Sequence, residues 1–223
     1  NRINITVAAN AWRGIAGLAL AGGSGYVWDD VDCWWHIRKL PATAGRFMRL
    51  TYLLSEWREF RNVFDMRLRQ RGDSMLARAL FRILWPIEPK LHINTEDIGP
   101  RIFVEHGFAT IISAKSIGSD LWVNQQVTIG WNYDKAPVLG NGVRVAAGAK
   151  IIGGVTLGDN CIIGANGVVT KDVPPEEVWG GGSRFAIGVN HDHKLYAPGD
   201  DAGVMLLEQH MKGIILAGGS GTR

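Results

Sequence analysis

Leu139, Val145, Ile151, Leu157, Ile163 and Val169 follow one another at every sixth residue without a slip. Four positions after each stands Val143, Ala149, Val155, Cys161, Gly167 or Val173, all small or β-branched. Glycine directly follows the leading aliphatic residue at 140, 158 and 164. An α-helix scatters a six-residue beat around its surface, and a hairpin sheet gives no reason for corners at a fixed interval. A parallel β-helix accounts for both features. Each hexad makes one short strand and a corner, three hexads close a triangular coil, and the leading aliphatic residues stack inside. Small residues at the fifth position let a narrow interior close, and glycine accepts the corner dihedrals. The hexads from 139 to 174 supply two coils. The same beat at Ile111, Ile117, Val123 and Ile129, and at Ile98 and Val104, supplies about two more, with one extra residue between the two earlier sets. The expected fold class is an all-β solenoid, a parallel β-helix of hexapeptide repeats preceded by a short α-helical segment.

The beat fails in two places. Between Ile129 and Leu139 the step is ten residues rather than six and contains WNYDKAP, and extra residues on a rigid repeat leave the coil as a loop, where function is commonly grafted. The slip between Val104 and Ile111 includes Glu105, His106 and Gly107. An insertion there distorts the strand and can turn a side chain outward. A neutral imidazole is the natural base for taking a proton from an alcohol near neutral pH, and it needs an orienting partner. Glu105 is the adjacent carboxylate. Neighbours in an extended strand point to opposite faces, so contact between the two requires the slip or a neighbouring subunit.

Ahead of the coils, Phe47, Leu50, Leu54, Trp57, Phe64 and Leu68 fall at steps of three and four, apart from the turn carrying Arg61, and predict an amphipathic helix. Gly72–Asp73–Ser74 breaks it and can cap a second helix through Met75, Leu76, Ala79, Leu80 and Ile83, which Pro86 ends. Residues 1–36 hold Trp12, Trp28, Trp34 and Trp35 around an AGGSG turn without a sustained period, and read as an irregular leader. Residues 14–28 are uncharged but glycine-rich and too short to span a bilayer, and no basic leader with a clean apolar core precedes them. A cytoplasmic protein is expected.

The net charge of +3 is too small to point to nucleic acid. Between His36 and Lys90, however, twelve Lys/Arg stand against five Asp/Glu. That surplus could face phosphates or give weak contact with an anionic membrane surface; the blander reading is solvated helix faces. Cys33 and Cys161 carry no motif, and no His/Cys/carboxylate spacing resembles a metal cage, so neither a disulfide framework nor a metal is expected.

Residues 98–175 resemble the hexapeptide-repeat acyltransferases, and more closely their serine-acetyltransferase-like branch. The matching stretches are IGPRIFVEHGFATIISAKSIGSDLWVNQQVTIG and VLGNGVRVAAGAKIIGGVTLGDNCIIGANGVVTKDVPP. EWREFRNVFDMRLR looks like the helical element that leads into the coil in related polysaccharide-cluster O-acetyltransferases. The resemblance implies a left-handed β-helix, a homotrimer, and an acetyl-CoA cleft between neighbouring subunits. It implies His106 as the base that deprotonates an acceptor hydroxyl, with Glu105 standing where the family has aspartate. Ala147 and Ala165 resemble the positions that lie against the pantetheine arm. Thr170 and Lys171 resemble the turn at the nucleotide end, where Lys171 can neutralise phosphate.

There are departures. Serine acetyltransferases carry a second histidine in a His-Pro pair after the protruding loop; here Ala136–Pro137 corresponds, and the preceding helical region is short. After Pro175 the chain reads EEVWGGGSRFAI in place of the family's turn, leaving any role for Arg184 open. His191 and His193 read as surface residues. The final thirteen residues, MKGIILAGGSGTR, resemble the opening of a sugar-1-phosphate nucleotidyltransferase without the helix that such a loop needs, and Met211 reads as the start of a fused neighbour. The expected organisation is a leader (1–36), a helical segment (37–90), the β-helix (91–178), an extension (179–210) and this tail (211–223). The expected activity is acetyl transfer from acetyl-CoA to a hydroxyl of a saccharide or sugar nucleotide. Serine is the second choice of acceptor, and an inactive scaffold is the alternative to catalysis.

Overall fold

The computed structural model describes residues 2–180 and the backbone of residues 186–189. Six helices come first: α1 (Arg2–Ala9), α2 (Ala11–Ala21), α3 (Gly25–Ile37), α4 (Arg46–Glu56), α5 (Arg58–Gln70) and α6 (Met75–Leu84). Five coils follow. The first holds β1 (Leu91–Ile93), a bridge at Ile98 and β2 (Phe103–Val104). The second holds β3 (Thr110–Ile112), β4 (Ser116–Ile117) and β5 (Trp122–Val123), and the third β6 (Thr128–Gly130), β7 (Val138–Leu139) and β8 (Arg144–Val145). The fourth holds β9 (Lys150–Ile152), β10 (Thr156–Leu157) and β11 (Ile162–Ile163). The fifth holds β12 (Val168–Val169), a bridge at Val173 and β13 (Glu177–Trp179), on which β14 (Ala186–Val189) folds back antiparallel.

Three parallel sheets result, one per side of the triangle. The order β1-β3-β6-β9-β12 stacks Ile93, Ile112, Ile129, Ile151 and Val169. A second column carries Ile98, Ile117, Leu139, Leu157 and Val173, and a third Val104, Val123, Val145, Ile163 and Trp179. The six-residue residues from Leu139 to Val169 are buried, as are the small residues four positions after each. The thiol of Cys161 lies inside, donating to the Pro174 carbonyl at 2.9 Å, and burial pushes its pKa up to about 11.

Three readings of the sequence are corrected. The coils number five rather than four, because Leu91–Ile93 already forms a strand. In the second coil Ile112, not Ile111, is the inward residue: it pairs with Ile129 and is buried, while Ile111 points out. The corner between Val104 and Ile112 therefore carries two extra residues, and the step from Ile112 to Ile117 is one short.

Glycine is also used differently. The left-handed corners fall mostly to other residues, with Arg101, Asp120, Gly142, Asn160 and Glu176 stacked at one corner and Ala109, Gln126, Gly148 and Asn166 at another. Gly99, Gly118, Gly140 and Gly158 instead make room between coils. A Cβ on Gly118 would lie 2.7 Å from the Gly140 carbonyl carbon and 2.8 Å from the Asn141 nitrogen.

The helical block departs further. The leader expected to be irregular is helical where it is described, with α1, α2 and α3 lying within residues 2–37. Their glycines serve helix contact: a Cβ on Gly17 would come 2.9 Å from Leu54 Cδ1, so α2 lies close on α4. The single helix expected from Phe47 to Leu68 is two, broken at Trp57. Arg61, where the apolar pattern lapses, donates to the Leu54 and Ser55 carbonyls at the end of α4 and to Pro86. Ser74 caps α6 through the Ala77 N–H at 3.2 Å, as expected. That helix docks by Phe81, stacked on Phe64, and by Arg78 and Arg82 paired with Asp65. Met75, Leu76, Leu80 and Ile83 are left facing solvent. Among the described residues no helix is long and apolar enough to cross a membrane.

Candidate active site

The first coil has no coil before it, so one row of its backbone groups would be left open, like the edge of any sheet. The helical block closes this row. Arg67 donates to the carbonyls of Ile98 (2.9 Å) and Gly99 (2.6 Å), and Arg69 to Ile93 (2.7 Å). Asn62 donates to Leu91 at 2.9 Å, Trp34 Nε1 to Ile102 at 2.7 Å, and the Ile102 N–H donates to Asp30 at 3.0 Å. Asp30 and Arg67 form a buried ion pair at 2.7 Å. Burial pushes the Asp30 carboxyl up, while Arg67 and the Ile102 N–H pull it back. Much of the basic surplus between His36 and Lys90 is thus consumed inside the molecule, on carbonyls and carboxylates.

This grip ends on the histidine. In the second, third and fourth coils the corner after the third column runs Asn124–Gln125–Gln126, Ala146–Ala147–Gly148 and Gly164–Ala165–Asn166. In the first coil it runs Glu105 to Ala109, longer by two residues. His106 stands on that bulge, exposed, and makes no hydrogen bond to the described residues. The bulge is held at both shoulders. The Glu105 carbonyl accepts from Arg38 at 3.4 Å, and the Gly107 N–H donates to Glu59 at 3.2 Å. Gly107 has no room for a side chain, since a Cβ would meet Glu59 Cγ and Leu91 Cδ2 at 2.9 Å each. Arg38 lies over the rings of Trp34, Trp57 and Phe103, and burial lowers its pKa while Glu105 and Glu59 raise it.

Glu105 does not join His106 within the chain. Its carboxylate accepts from Trp122 Nε1 at 3.3 Å, on the outer face of the third sheet, as strand alternation dictates. Ala147 and Ala165 do share the histidine's edge: the Asn166 N–H donates to the Ala147 carbonyl, and the Gly148 N–H to that of Gln125. Their methyl groups leave this edge shallow. Thr170 and Lys171, both exposed, lie at the corner after β12, a strand's length from Ala165 and therefore on a different edge.

The insertion after Ile129 forms a tight turn closed by Asn132 and Lys135, with Tyr133 almost wholly exposed at its tip and Trp131 donating to Ser113 at 3.1 Å. Ala136 follows it. Arg184, His191, His193 and the tail from Met211 lie outside the described residues. Arg38 and Glu59 were missed by sequence reasoning. The only signal for them was the basic and acidic residues interrupting apolar helix faces.

Residues 136–171 match the family described as bacterial transferase hexapeptide (six repeats). The serine acetyltransferase of Mycobacterium tuberculosis is 36% identical over 117 residues, covering 49% of this chain and 50% of that protein. The serine acetyltransferase of Helicobacter pylori is 37% identical over 115 residues, or 48% of this chain and 66% of that protein. The chain thus spans about half to two thirds of the length of these relatives. Among solved structures, Neisseria gonorrhoeae serine acetyltransferase superposes with a TM-score of 0.53 at 22% identity, over 77% of this chain and 67% of that one. A serine acetyltransferase complex with CoA superposes at 0.52 and 22% identity, over 72% and 68%. At these identities the superpositions establish the fold.

Proposed function

We propose that this hexapeptide-repeat chain, serine-acetyltransferase-like in sequence, moves an acetyl group from acetyl-CoA to an alcohol, with L-serine as the first acceptor to test. The observation that carries the reading is the placement of His106, alone and exposed on a bulge, over the edge that also holds Ala147 and Ala165. In this reading the imidazole takes the proton of the acceptor hydroxyl, the oxygen attacks the thioester carbonyl, and the departing CoA thiolate takes the proton back. No protein nucleophile is required, because a thioester is already activated and the main task is to hold two substrates together. Small side chains at 147 and 165 let the pantetheine arm lie against the backbone. Lys171 at the neighbouring corner offers charge to a phosphate. Glu105 acts as a positioning residue: through Trp122 and its carbonyl's bond from Arg38 it fixes the strand that enters the bulge.

The order of acceptors is changed from the sequence reading, which put a saccharide first: the relatives named for serine favour serine. A saccharide remains the second reading on one observation, the methyl group of Ala136 where those enzymes have a second imidazole. A homotrimer is part of the proposal. Ile111 and Val168 stand exposed on the outer face of the first sheet, where a neighbouring copy would cover them and close a cleft along the His106 edge.

Purified protein given acetyl-CoA with L-serine, and separately with a panel of sugar nucleotides, is expected to release free thiol with serine. His106→Ala should lower kcat by at least about a hundredfold while leaving CoA affinity unchanged. Turnover with a saccharide alone would reverse the acceptors, and no turnover together with no CoA binding would leave a scaffold. Light scattering is expected to return three times the chain mass; an active monomer would remove the shared cleft.

A further inference from the structure

The bulge that carries His106 also carries an aromatic ring. Gly107 is turned inward, its Cβ direction meeting Glu59 and Leu91. The residues on either side of it therefore point out, and His106 and Phe108 are both exposed. Two positions apart, their Cα atoms lie at most about 7 Å from one another. The ammonium of Lys90, another exposed residue, stands 4.7 Å from the centre of the Phe108 ring. Both partners are held by their backbones. The Phe108 carbonyl accepts from the Gln126 N–H at 2.9 Å and from Thr110 Oγ1 at 3.2 Å, and the Lys90 carbonyl accepts from the Thr110 N–H at 3.0 Å. Among the described residues Lys90 forms no ion pair. The carboxylates around it are bonded to other donors: Glu59 to the Gly107 N–H, Glu88 to the Lys90 backbone N–H and Glu105 to Trp122. Beyond Lys90 the outer face of the first sheet carries His92, Ile111, Thr128, Lys150 and Val168 in register, without a carboxylate.

We infer that Lys90, seated on Phe108, receives a carboxylate of the acceptor, so that the site selects a small hydroxy acid, L-serine among them, over a neutral alcohol. The inference rests on the acetyl-transfer reading and deepens it from an alcohol to an alcohol that bears an anion. The ring attracts the ammonium and keeps it in place, while the N–H groups turned away from the ring stay free to donate. A carboxylate completes them with a charge-assisted bond, which a neutral hydroxyl or amide does not match. The dimensions agree. In an extended 3-hydroxy acid four bonds separate the hydroxyl oxygen from a carboxylate oxygen, about 5 Å. A hydrogen bond of about 2.8 Å at each end, to the imidazole and from the ammonium, brings the span to about 10 Å. Two side chains rising from the same side of one bulge, with the cation resting on the second, are placed to close it. The phosphates of CoA do not compete for Lys90, because a thioester at His106 leaves them at the far end of the pantetheine arm.

The test is steady-state release of CoA thiol by the full chain, given acetyl-CoA with L-serine or with L-serinamide, which lacks the carboxylate. The parent is compared with Lys90→Met and Phe108→Leu at one pH. The parent should prefer serine by about tenfold to a hundredfold in kcat/KM, the scale of one hydrogen bond to a charged group. Lys90→Met keeps the stem and removes the charge, and should bring the preference to within about threefold of parity through a higher KM for serine. Phe108→Leu takes away the seat of the cation and should lower the preference by at least about threefold. The preference is a ratio within one protein, so a variant that is merely less well folded lowers both rates and leaves the ratio alone. A parent that uses serinamide as readily as serine, a preference that survives in either variant, or turnover of saccharides alone overturns the inference and leaves acetyl transfer standing. A parent inactive with serine, serinamide and every saccharide overturns both.

Discussion

The coils and the helical block are assembled on opposite plans. In the coils each strand takes hydrogen bonds from the strands before and after it, and the interior is filled by stacked residues of similar size, such as Ile129 over Ile151 or Val123 over Val145. In the helical block nothing repeats. Large rings fill it, with Trp34 against Phe60 and Phe103, Phe64 against Phe81 and Phe81 against Trp85, and arginines reach out of it to backbone carbonyls. The difference shows what a solenoid lacks. A repeat satisfies its own middle and leaves its ends open, so a non-repeating element has to cap it. Here the cap also carries the two bonds, from Arg38 and to Glu59, that fix the bulge bearing His106. The candidate site is therefore built at the seam between the two plans.

The seam can be broken at one pair. Asp30 and Arg67 are both almost wholly buried, and between them they meet Ile98, Gly99 and Ile102 of the first coil. Asp30→Ala leaves the guanidinium buried and unpaired, and should destabilise by about 3–5 kcal/mol, the largest effect expected of any substitution considered. Urea unfolding followed by circular dichroism and by tryptophan fluorescence measures this. If block and coils form one unit, both signals should shift together to lower urea. Separate transitions, with the coils holding while the helices melt, would mean that the cap is an accessory rather than a part of the fold.

The two plans also differ in how far the sequence discloses them. A period announces itself. The hexads from Leu139 onward identified inward residues, small fillers and the place of the loop after Ile129. Adjacent isoleucines defeated the period at 111 and 112, since either fits an aliphatic beat and only pairing with Ile129 decides. The helices of residues 2–37 were hidden because α2 packs through Gly14 and Gly17, which read as breakers, and leaves Trp12 and Ile15 outside. His106 was legible as the residue at a slip. Its supports were not, because Arg38 at the C-cap of α3 and Glu59 in α5 bond its neighbours Glu105 and Gly107 from positions remote in sequence.

Glycine offers a finer comparison. On the coil side, Gly118 belongs to the column that spaces one coil from the next. A Cβ there meets Asn141 Oδ1 at 2.6 Å and backbone atoms of Gly140 and Asn141 at 2.7 and 2.8 Å. The side-chain oxygen can swing aside but the backbone cannot move without disturbing the coil above. Gly118→Ala should therefore destabilise by about 1–3 kcal/mol, as overpacking does. Calorimetric melting of the two proteins side by side measures it, and an unchanged melting temperature would mean that the coils are softer than their register implies.

On the helical side the same substitution should have the opposite sign. Gly25 opens α3 directly after Ser24, in an exposed position, and an added Cβ meets nothing within 4 Å. Its backbone is right-handed helical, so alanine fits without strain, and the main consequence is that the unfolded chain loses freedom it would otherwise regain. Gly25→Ala should stabilise by about 0.4–1 kcal/mol, the smallest of the effects. The gain should appear as a higher urea midpoint with an unchanged slope, since no surface is newly buried. Because α3 carries Asp30 and Trp34 and ends on its C-cap Arg38, all three bonded to the first coil, a helix made firmer at its start should protect that coil as well. Slower amide exchange at Ile102 and Glu105 in Gly25→Ala, with no change at Cys161 or Ile163, would place the benefit at the seam; a uniform slowing would place it in the fold as a whole, and no slowing would confine it to the helix.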